Sequence, residues 1–398
     1  MRIGILGGTF NPIHNAHIQM ARIARDEAAL DLVLFTVAAD PPHKHVDGEV
    51  PARERLRLVE LALAGEDRME ASDVEIRRGG KSYTLLTLQE LKSRWPEASL
   101  SIIVGSDMLG DLPNWYRPDE VLALAPVLCV PRIGRNGNDA EAAALLTERY
   151  GARVTMLSAR ADMISSTEIR KRLSGGLPVN GWMPEPVEQA VYEGGEYFSE
   201  ELRGLQQRCR AALDRKRYRH VCGTMRAAAQ LAELWKQDAQ KASVAALLHD
   251  CAKCLDPVRQ EVLSGDETGI SAVHHAFAGA VLAKTEYGIS DETILRAIRL
   301  HTTGERGMTD FEALIYTADL IEPMRTYPGV EEYRARLTAD ADAFMQYVLS
   351  DQNCLLNRKG KRIHPATARA IDYYEEKIRN RQSRNSTNKE EISMEVSH

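Results

Sequence analysis

Arg2-Ile3-Gly4-Ile5-Leu6 is a short apolar run that breaks into Gly7-Gly8-Thr9-Phe10-Asn11-Pro12-Ile13-His14-Asn15-Ala16-His17, and Ile18–Ala29 then takes on helical character. A strand, a glycine-rich turn and a helix start in that order predict a βα unit built to meet an anion. Glycines at the turn let backbone N–H groups come close, and the helix that follows adds its partially positive N-terminus. Such a turn suits a phosphate. His14 and His17 stand three apart at the helix start, so both can face one ligand. The competing readings are one imidazole capping the turn while the other packs, or a two-histidine metal site, which has no third ligand near in sequence.

The first half repeats this pattern. Apolar runs at Leu32–Val37, Leu100–Val104, Val127–Val130 and Val154–Leu157 are each followed by helix-like sequence, the signature of βαβ units and a parallel sheet. Beyond about Tyr197 the strand-like runs stop. Helical patterning takes over at Cys222–Leu234, Ala242–Cys254, Ala272–Glu286, Asp291–Leu300, Phe311–Ile321 and Tyr333–Leu349, which predicts an all-α second half. In Tyr192-Glu-Gly-Gly-Glu-Tyr-Phe-Ser199, the serine is the expected N-cap of a helix beginning at Glu200. The domains are therefore placed at residues 1–197 and 198–378. A disordered polar tail is expected over 379–398, where too few large apolar groups remain to offset the entropy of ordering. A length of 398 residues also suits two domains.

The composition, 44% hydrophobic and 27% charged, is that of an ordinary globular protein. A formal net charge of −6 argues against a protein that coats nucleic acid through bulk charge, and leaves room for local basic funnels that hold small anions. No stretch approaches the roughly 20 apolar residues of a membrane span, and MRIGILGGTF has glycines where a signal peptide would keep an unbroken apolar core. The expectation is a cytoplasmic chain with no nucleic-acid and no membrane partner, with a homo-oligomer left open. Six cysteines spread over this length favour reduced thiols over a disulfide framework.

A second motif follows the last strand-like run: Ile164-Ser165-Ser166-Thr167-Glu168-Ile169-Arg170-Lys171-Arg172-Leu173. Ser165 or Ser166 would N-cap a helix whose free N–H groups, hydroxyls and Arg170 can hold a polyphosphate. A capping box explains the serines and Glu168, but not the basic cluster. Gly7–His17 together with Ile164–Arg170 is similar to the two signature motifs of the nucleotidyltransferase superfamily, GTFxPxHxGH and ISSTxIR. With Pro41-Pro42-His43-Lys44, Ser82-Tyr83-Thr84, Gly105-Ser106-Asp107 and Asn114-Trp115-Tyr116, residues 1–197 resemble the bacterial nicotinate-nucleotide adenylyltransferases. The resemblance implies a Rossmann-like α/β domain in which nicotinate mononucleotide and ATP give deamido-NAD and pyrophosphate, with Mg²⁺ assisting. It implies that Gly8, Thr9 and Phe10 line the nucleotide loop, that His14 and His17 contact the ATP phosphates, and that Lys44 approaches the transferring phosphate. By the same likeness Ser165, Ser166, Thr167 and Arg170 hold ATP, while Thr84, Asp107, Trp115 and Tyr116 form the mononucleotide pocket. Transfer of this type is largely positioning and charge neutralisation and needs no covalent nucleophile. Ala16 departs from the motif, which has glycine between the histidines; its methyl is tolerated at negative φ but could crowd the adenine or ribose. Nicotinamide mononucleotide and phosphopantetheine are the alternative acceptors.

In the second half, Tyr218-Arg219-His220 opens an amphipathic helix, and Leu247-Leu248-His249-Asp250-Cys251-Ala252-Lys253 closes another. His274-His275, His301 and Asp319 follow on or at the ends of apolar helices. One such group alone is more often a satisfied core residue than a ligand. Six on successive helices point to shared metal coordination, because each would be costly to bury unpaired. The ordered set His220, His249-Asp250, His275, His301 and Asp319 is similar to the HD-domain metal-dependent phosphohydrolases. The wider match, Ala245-Ala-Leu-Leu-His-Asp-Cys-Ala-Lys253 with His301-Thr-Thr-Gly304 and Ala318-Asp-Leu-Ile-Glu-Pro323, looks like the bacterial subgroup that cleaves diadenosine tetraphosphate into two ADP, over about residues 200–375. That likeness implies one metal on His220, His249, Asp250 and Asp319 and a second on His275 and His301, with Asp250 bridging. The Ala-Phe-Ala-Gly279 that follows aligns His275 with the family histidine, with His274 as the fallback. Imidazole and carboxylate ligands without thiolate suit two ions of Fe, Mn or Co in an open site. Lys253, one turn past the His-Asp pair, is positioned to meet a phosphate and joins Asp250 as a catalytic candidate. Arg215-Lys216-Arg217 and Arg219 can draw in a polyphosphate or form a solvated helix face. Cys251-x-x-Cys254 lacks the βαβ setting of a redox motif. The expected whole is a bifunctional enzyme acting on ATP, nicotinate mononucleotide and diadenosine tetraphosphate. The alternative keeps the transferase and makes the helical domain a regulatory nucleotide sensor or a site that acts on another nucleotide.

Overall fold

A computed structural model of the chain describes residues 1–41, 50–134 and 138–395, with side chains as far as 384. Contacts divide it into two compact units, residues 1–171 with 179–191, and residues 172–178 with 192 onward. The chain passes from the first unit to the second inside the Ser166–Ser174 helix, returns after Pro178, and passes over again inside the Glu185–Gly194 helix.

The first unit is built on six parallel strands: β1 (Arg2–Gly8), β2 (Leu32–Val37), β3 (Met69–Ser72), β4 (Ser99–Gly105), β5 (Val127–Val130) and β6 (Val154–Met156), in the order β3-β2-β1-β4-β5-β6. Every residue of β2 and β5 is buried, as parallel strands covered on both faces by helices require. β3 is absent from the sequence expectation. Its Met-Glu-Ala-Ser has one buried residue, Met69, and stands at the sheet edge, so no apolar run announces it. β1 pairs with β2 from Ile3–Leu32 through Gly8–Val37, but its pairing with β4 ends at Ile5–Ile102. The ends of β1 and β4 therefore flank a crevice where the strand order reverses, the place where open α/β sheets receive ligands.

The second unit is helical: Glu200–Ala212, Arg215–Leu234, Ala239–Leu248, Pro257–Ser264, Ser271–Thr285, Glu292–Leu300, Asp310–Ile321, Val330–Arg336, Ala341–Arg358 and Pro365–Glu395. Ser199 caps the first of these, its Oγ accepting from the Leu202 N–H at 3.3 Å. Two expected helices end or divide differently. The single helix expected over Ala242–Cys254 ends at Leu248, where His249 turns its ring back onto the Ala246 carbonyl. The one expected over Tyr333–Leu349 is two helices, because Asp340 caps a fresh start by accepting from the Ala343 N–H. Arg381 lies in the last of these helices and pairs with Asp340 and Asp342 at 2.7 and 2.5 Å. No helix among the described residues is long and apolar enough to cross a membrane.

Candidate functional sites

The glycine-rich turn leaves β1 at Gly8 and enters the Asn15–Glu27 helix through His14. Gly8 has no side chain because the Phe10 ring lies on it: a Cβ there would meet Phe10 atoms at 3.0–3.3 Å. Phe10 itself is buried, with φ +47°, and packs on Phe35 and His17. Of its groups, the backbone is what remains for a ligand. His14 and His17 stack with ring centroids 3.6 Å apart, and the His14 N–H donates to His17 Nδ1 at 3.3 Å. With Nδ1 accepting, a neutral His17 carries its proton on Nε2. Burial, and then the nearby Arg132 cation, push His14 down to about 3, so it is a neutral imidazole at any physiological pH. Ala16 is fully buried at negative φ, and its methyl faces the core.

The second motif docks onto this turn. The Ser166–Ser174 helix is capped by Ser165, whose Oγ accepts from the Glu168 N–H at 3.2 Å. Ser166 Oγ donates to the Pro12 carbonyl at 2.8 Å, and Arg170 Nη1 donates to the Asn11 carbonyl at 2.6 Å. Arg170 also reaches Thr167 Oγ1 at 3.4 Å. The two stretches are thus joined by hydrogen bonds although more than 150 residues separate them in sequence, as in the Ser166–Pro12 separation of 154.

At the β4 side, Asp107 faces Arg132 at 3.4 Å, and Arg132 also donates to the Asp162 carbonyl at 3.0 Å. Asp107 lies over Gly105, where a Cβ would stand 2.3 Å from its Oδ1 and would make that side chain move. Thr84 opens the Thr84–Arg94 helix beside Tyr83, which stacks on Tyr116 at 4.3 Å. Trp115 packs half-buried against the core beneath. His43 and Lys44 lie outside the described residues. Sequence reasoning missed Arg132, whose only signal is its place directly after β5 and Pro131.

In the helical unit the expected ligands converge. His220 Nε2 lies 2.9 Å from Asp319 Oδ1, 3.3 Å from His249 Nε2 and 3.7 Å from Asp250 Oδ2. His249 Nε2 is 3.5 Å from Asp250 Oδ2 and 3.7 Å from Asp319 Oδ1. On the other side, Asp250 Oδ1 is 3.4 Å from His275 Nε2 and 3.7 Å from His301 Nε2. His274 points elsewhere, to Asp266 at 3.4 Å. Three overlapping triples, His220/His249/Asp250, His249/His301/Asp319 and Asp250/His275/His301, each keep their donor atoms within 4.8 Å. The middle triple cuts across the two-set division, so the donors form one continuous cluster.

The local fold explains the aim of each ring. The helices Ala239–Leu248 and Glu292–Leu300 each end in a buried leucine, and the histidine that follows places Nδ1 on the carbonyl three residues back: His249 on Ala246 at 2.7 Å, His301 on Ile298 at 2.8 Å. An Nδ1–H so engaged leaves the Nε2 lone pair facing the cluster. His220 Nδ1 is held instead by the buried Glu322 carboxylate at 3.0 Å. Gly223 makes room for that carboxylate, since a Cβ would meet its Oε2 at 2.2 Å. Sequence reasoning missed Glu322, which stands just past the end of the helix that carries Asp319, its backbone already extended at φ −52° and ψ 148°.

Burial pushes His249 down to about 4 and His275 to about 2, leaving both neutral and ready to ligate. Burial would raise the Asp250 carboxyl, but the facing His249, His301 and His275 hold it well below the usual carboxylate range. Donor separations of about 3 to 3.7 Å are what ligands around an ion at roughly 2 Å adopt, and Asp250 Oδ1 is buried with no hydrogen-bond partner. The residues fit a metal cluster. Three cations rim it: Arg217 on Asp250 Oδ2 at 2.6 Å, Arg325 on Asp319 Oδ1 at 2.5 Å, and Lys253 Nζ at 3.0 Å from His275 Nδ1.

Comparison with known proteins agrees with this division. The cytidylyltransferase-like family matches residues 5–172 and the HD domain family residues 217–345. A curated protein described as a probable nicotinate-nucleotide adenylyltransferase from Gloeobacter violaceus is 43% identical over 199 residues, 49% of this chain and 96% of its own length. One of the same description from Citrifermentans bemidjiense is 40% identical over 208 residues, 48% of this chain and 96% of its own. A crystal structure described as a predicted HD superfamily hydrolase involved in NAD metabolism, from Clostridium acetobutylicum, is 34% identical, with 44% of this chain covering 96% of that one at a TM-score of 0.41. By its N-terminal unit the chain belongs to the nicotinate-nucleotide adenylyltransferase family, and it carries a C-terminal HD domain.

Proposed function

We propose that the first unit transfers the adenylyl group of ATP to nicotinate mononucleotide and that the second hydrolyses diadenosine tetraphosphate to two ADP. The observation that supports the first half most is the docking of Ser166 and Arg170 onto the Asn11–Pro12 carbonyls, which gathers phosphate-binding groups at the crevice between β1 and β4. A 5′-phosphate oxygen of the mononucleotide attacks the α-phosphorus of ATP, and the bond to the pyrophosphate oxygen breaks. The chain contributes positioning and charge: the His17 Nε2–H, the Arg170 guanidinium and backbone N–H groups meet phosphate oxygens, with Lys44 added by family likeness. Mg²⁺ would enter with ATP.

The second half rests on the donor cluster around Asp250. His220, His249, Asp250 and Asp319 would hold one ion and His275, His301 and Asp250 another. Bound there, Fe, Mn or Co supplies Lewis acidity to water and to phosphate oxygens. Lys253, Arg217 and Arg325 offer the polyphosphate compensating charge at the rim. Water oxygen adds to one inner phosphorus, the bridging P–O bond breaks, and each half leaves as ADP.

The test is a paired assay on the full chain. Pyrophosphate release is compared with nicotinate mononucleotide, nicotinamide mononucleotide and phosphopantetheine as acceptors, and ADP release from diadenosine tetraphosphate is followed with Fe²⁺, Mn²⁺ or Co²⁺. His17→Ala should lower kcat/KM for adenylyl transfer by about 100-fold or more and leave hydrolysis intact; His249→Ala should do the converse. A loss under about fivefold would remove His17 from its assigned role. Preference for another acceptor overturns the mononucleotide pocket, and absence of ADP favours a regulatory nucleotide sensor.

A further inference from the structure

We infer that Arg55 is the positioning residue that aims the phosphate-binding turn at its ligand; the inference rests on reading that turn as the seat of the ATP polyphosphate. Arg55 lies in the Ala52–Leu63 helix and is 1% exposed, among the largest fully buried side chains of the described residues. Its guanidinium gathers three carbonyls from three segments. Nε donates to Val50 at 2.9 Å, Nη2 to Ala38 at 2.8 Å just past β2, and Nη1 to Thr9 within the turn.

The bond to Thr9 decides which way the turn faces. In a trans peptide the carbonyl and the following N–H point in opposite directions. Arg55 draws the Thr9 carbonyl inward, so the Phe10 N–H is turned outward. One peptide earlier, the Gly8 carbonyl accepts from the Ala38 N–H at 2.9 Å, on the β2 side, which turns the Thr9 N–H toward the β4 side and the crevice. Two successive N–H groups so directed make an anion-binding concavity. Phe10 at φ +47° is the strained residue of this arrangement, and such a conformation persists where its surroundings over-determine it. Arg55 and the Phe10 ring packed on Gly8 are those surroundings.

The same side chain also places a cation behind the turn. An apolar side chain of similar bulk would fill the volume without the desolvation penalty of a charge. A guanidinium in a low-dielectric setting adds an attractive field for an anion on the far side of the peptide planes, where water screens it poorly.

The experiment measures, by calorimetry on the full chain, ATP and nicotinate mononucleotide binding separately for wild type, Arg55→Lys and Arg55→Met. Lysine keeps the charge and much of the bulk but cannot span three carbonyls, and methionine loses both charge and bonds. We expect ATP affinity to fall tenfold or more in both variants, further in Arg55→Met, with mononucleotide affinity within twofold of wild type. If Arg55→Met fails to fold, as shown by loss of cooperative melting, Arg55→Lys alone is read. A parallel fall in both affinities makes Arg55 a general support of the fold and overturns the inference, as does unchanged ATP binding. A wild type that binds no ATP removes the reading of the turn itself, a result seen before any variant is compared.

Discussion

Glu322 is 1% exposed and divides its carboxylate between His220 Nδ1 at 3.0 Å and the Met324 N–H at 2.6 Å. A carboxylate on the far nitrogen of a ligating imidazole fixes its tautomer and raises its basicity, and loss of such a partner weakens metal binding by roughly 10–100-fold. Glu322→Gln should lower affinity by that range in competition with a chromophoric chelator, at unchanged helical content. His14 carries a different consequence. Its folded value of about 3 lies below the ordinary 6.5 because burial, then Arg132, disfavours the charge. Between those pH values the unfolded chain binds a proton that the folded chain refuses, so stability falls as pH drops through the window, by up to about 1.4 kcal/mol per pH unit. Above pH 6.5 the effect vanishes. His14→Asn should flatten this slope relative to wild type in urea unfolding measured from pH 7 down to pH 5.

At the scale of elements, most of the scaffold was legible because its strands are continuous apolar runs and its helices keep an apolar stripe. β3 was hidden by its brevity and half-exposed composition. The break after Leu248 was hidden because the apolar pattern continues through Cys251 and Ala252, both buried, although the backbone leaves the helix there. The ligands themselves were legible one by one as polar residues in apolar settings. Glu322, Arg325, Arg132 and Arg55 were not, because their significance lies in partners brought near by folding. Thr309 shows how local chemistry places a ligand. Its Oγ1 accepts from the Glu312 N–H while Glu312 Oε2 accepts from the Thr309 N–H, a capping box that starts the helix carrying Asp319. Thr309→Ala should cost about 1 kcal/mol of stability in chemical denaturation without changing metal stoichiometry.

For the molecule as a whole, the division into two compact units, together with the proposed activities, predicts two unfolding events that answer to different ligands. A ligand that binds only the folded form stabilises that form in proportion to its excess over Kd. Stripping metal with a chelator should therefore lower one calorimetric transition by several degrees and leave the other in place, and ATP should raise the one that the chelator spares. A single transition that moves with both treatments would contradict this independence.

The sheet of the first unit carries a final consequence. Its longest strands, β1 and β4 with seven residues each, stand side by side in the centre, while the outermost ones, β3 and β6, have four and three. Exposed strand edges are templates for pairing with another chain, and shortness is one of the ways proteins blunt them. Copies of this chain that associate through the first unit would therefore be expected to meet through side chains on its helices and loops, since the short margins of the sheet offer few backbone groups to a neighbour's strand.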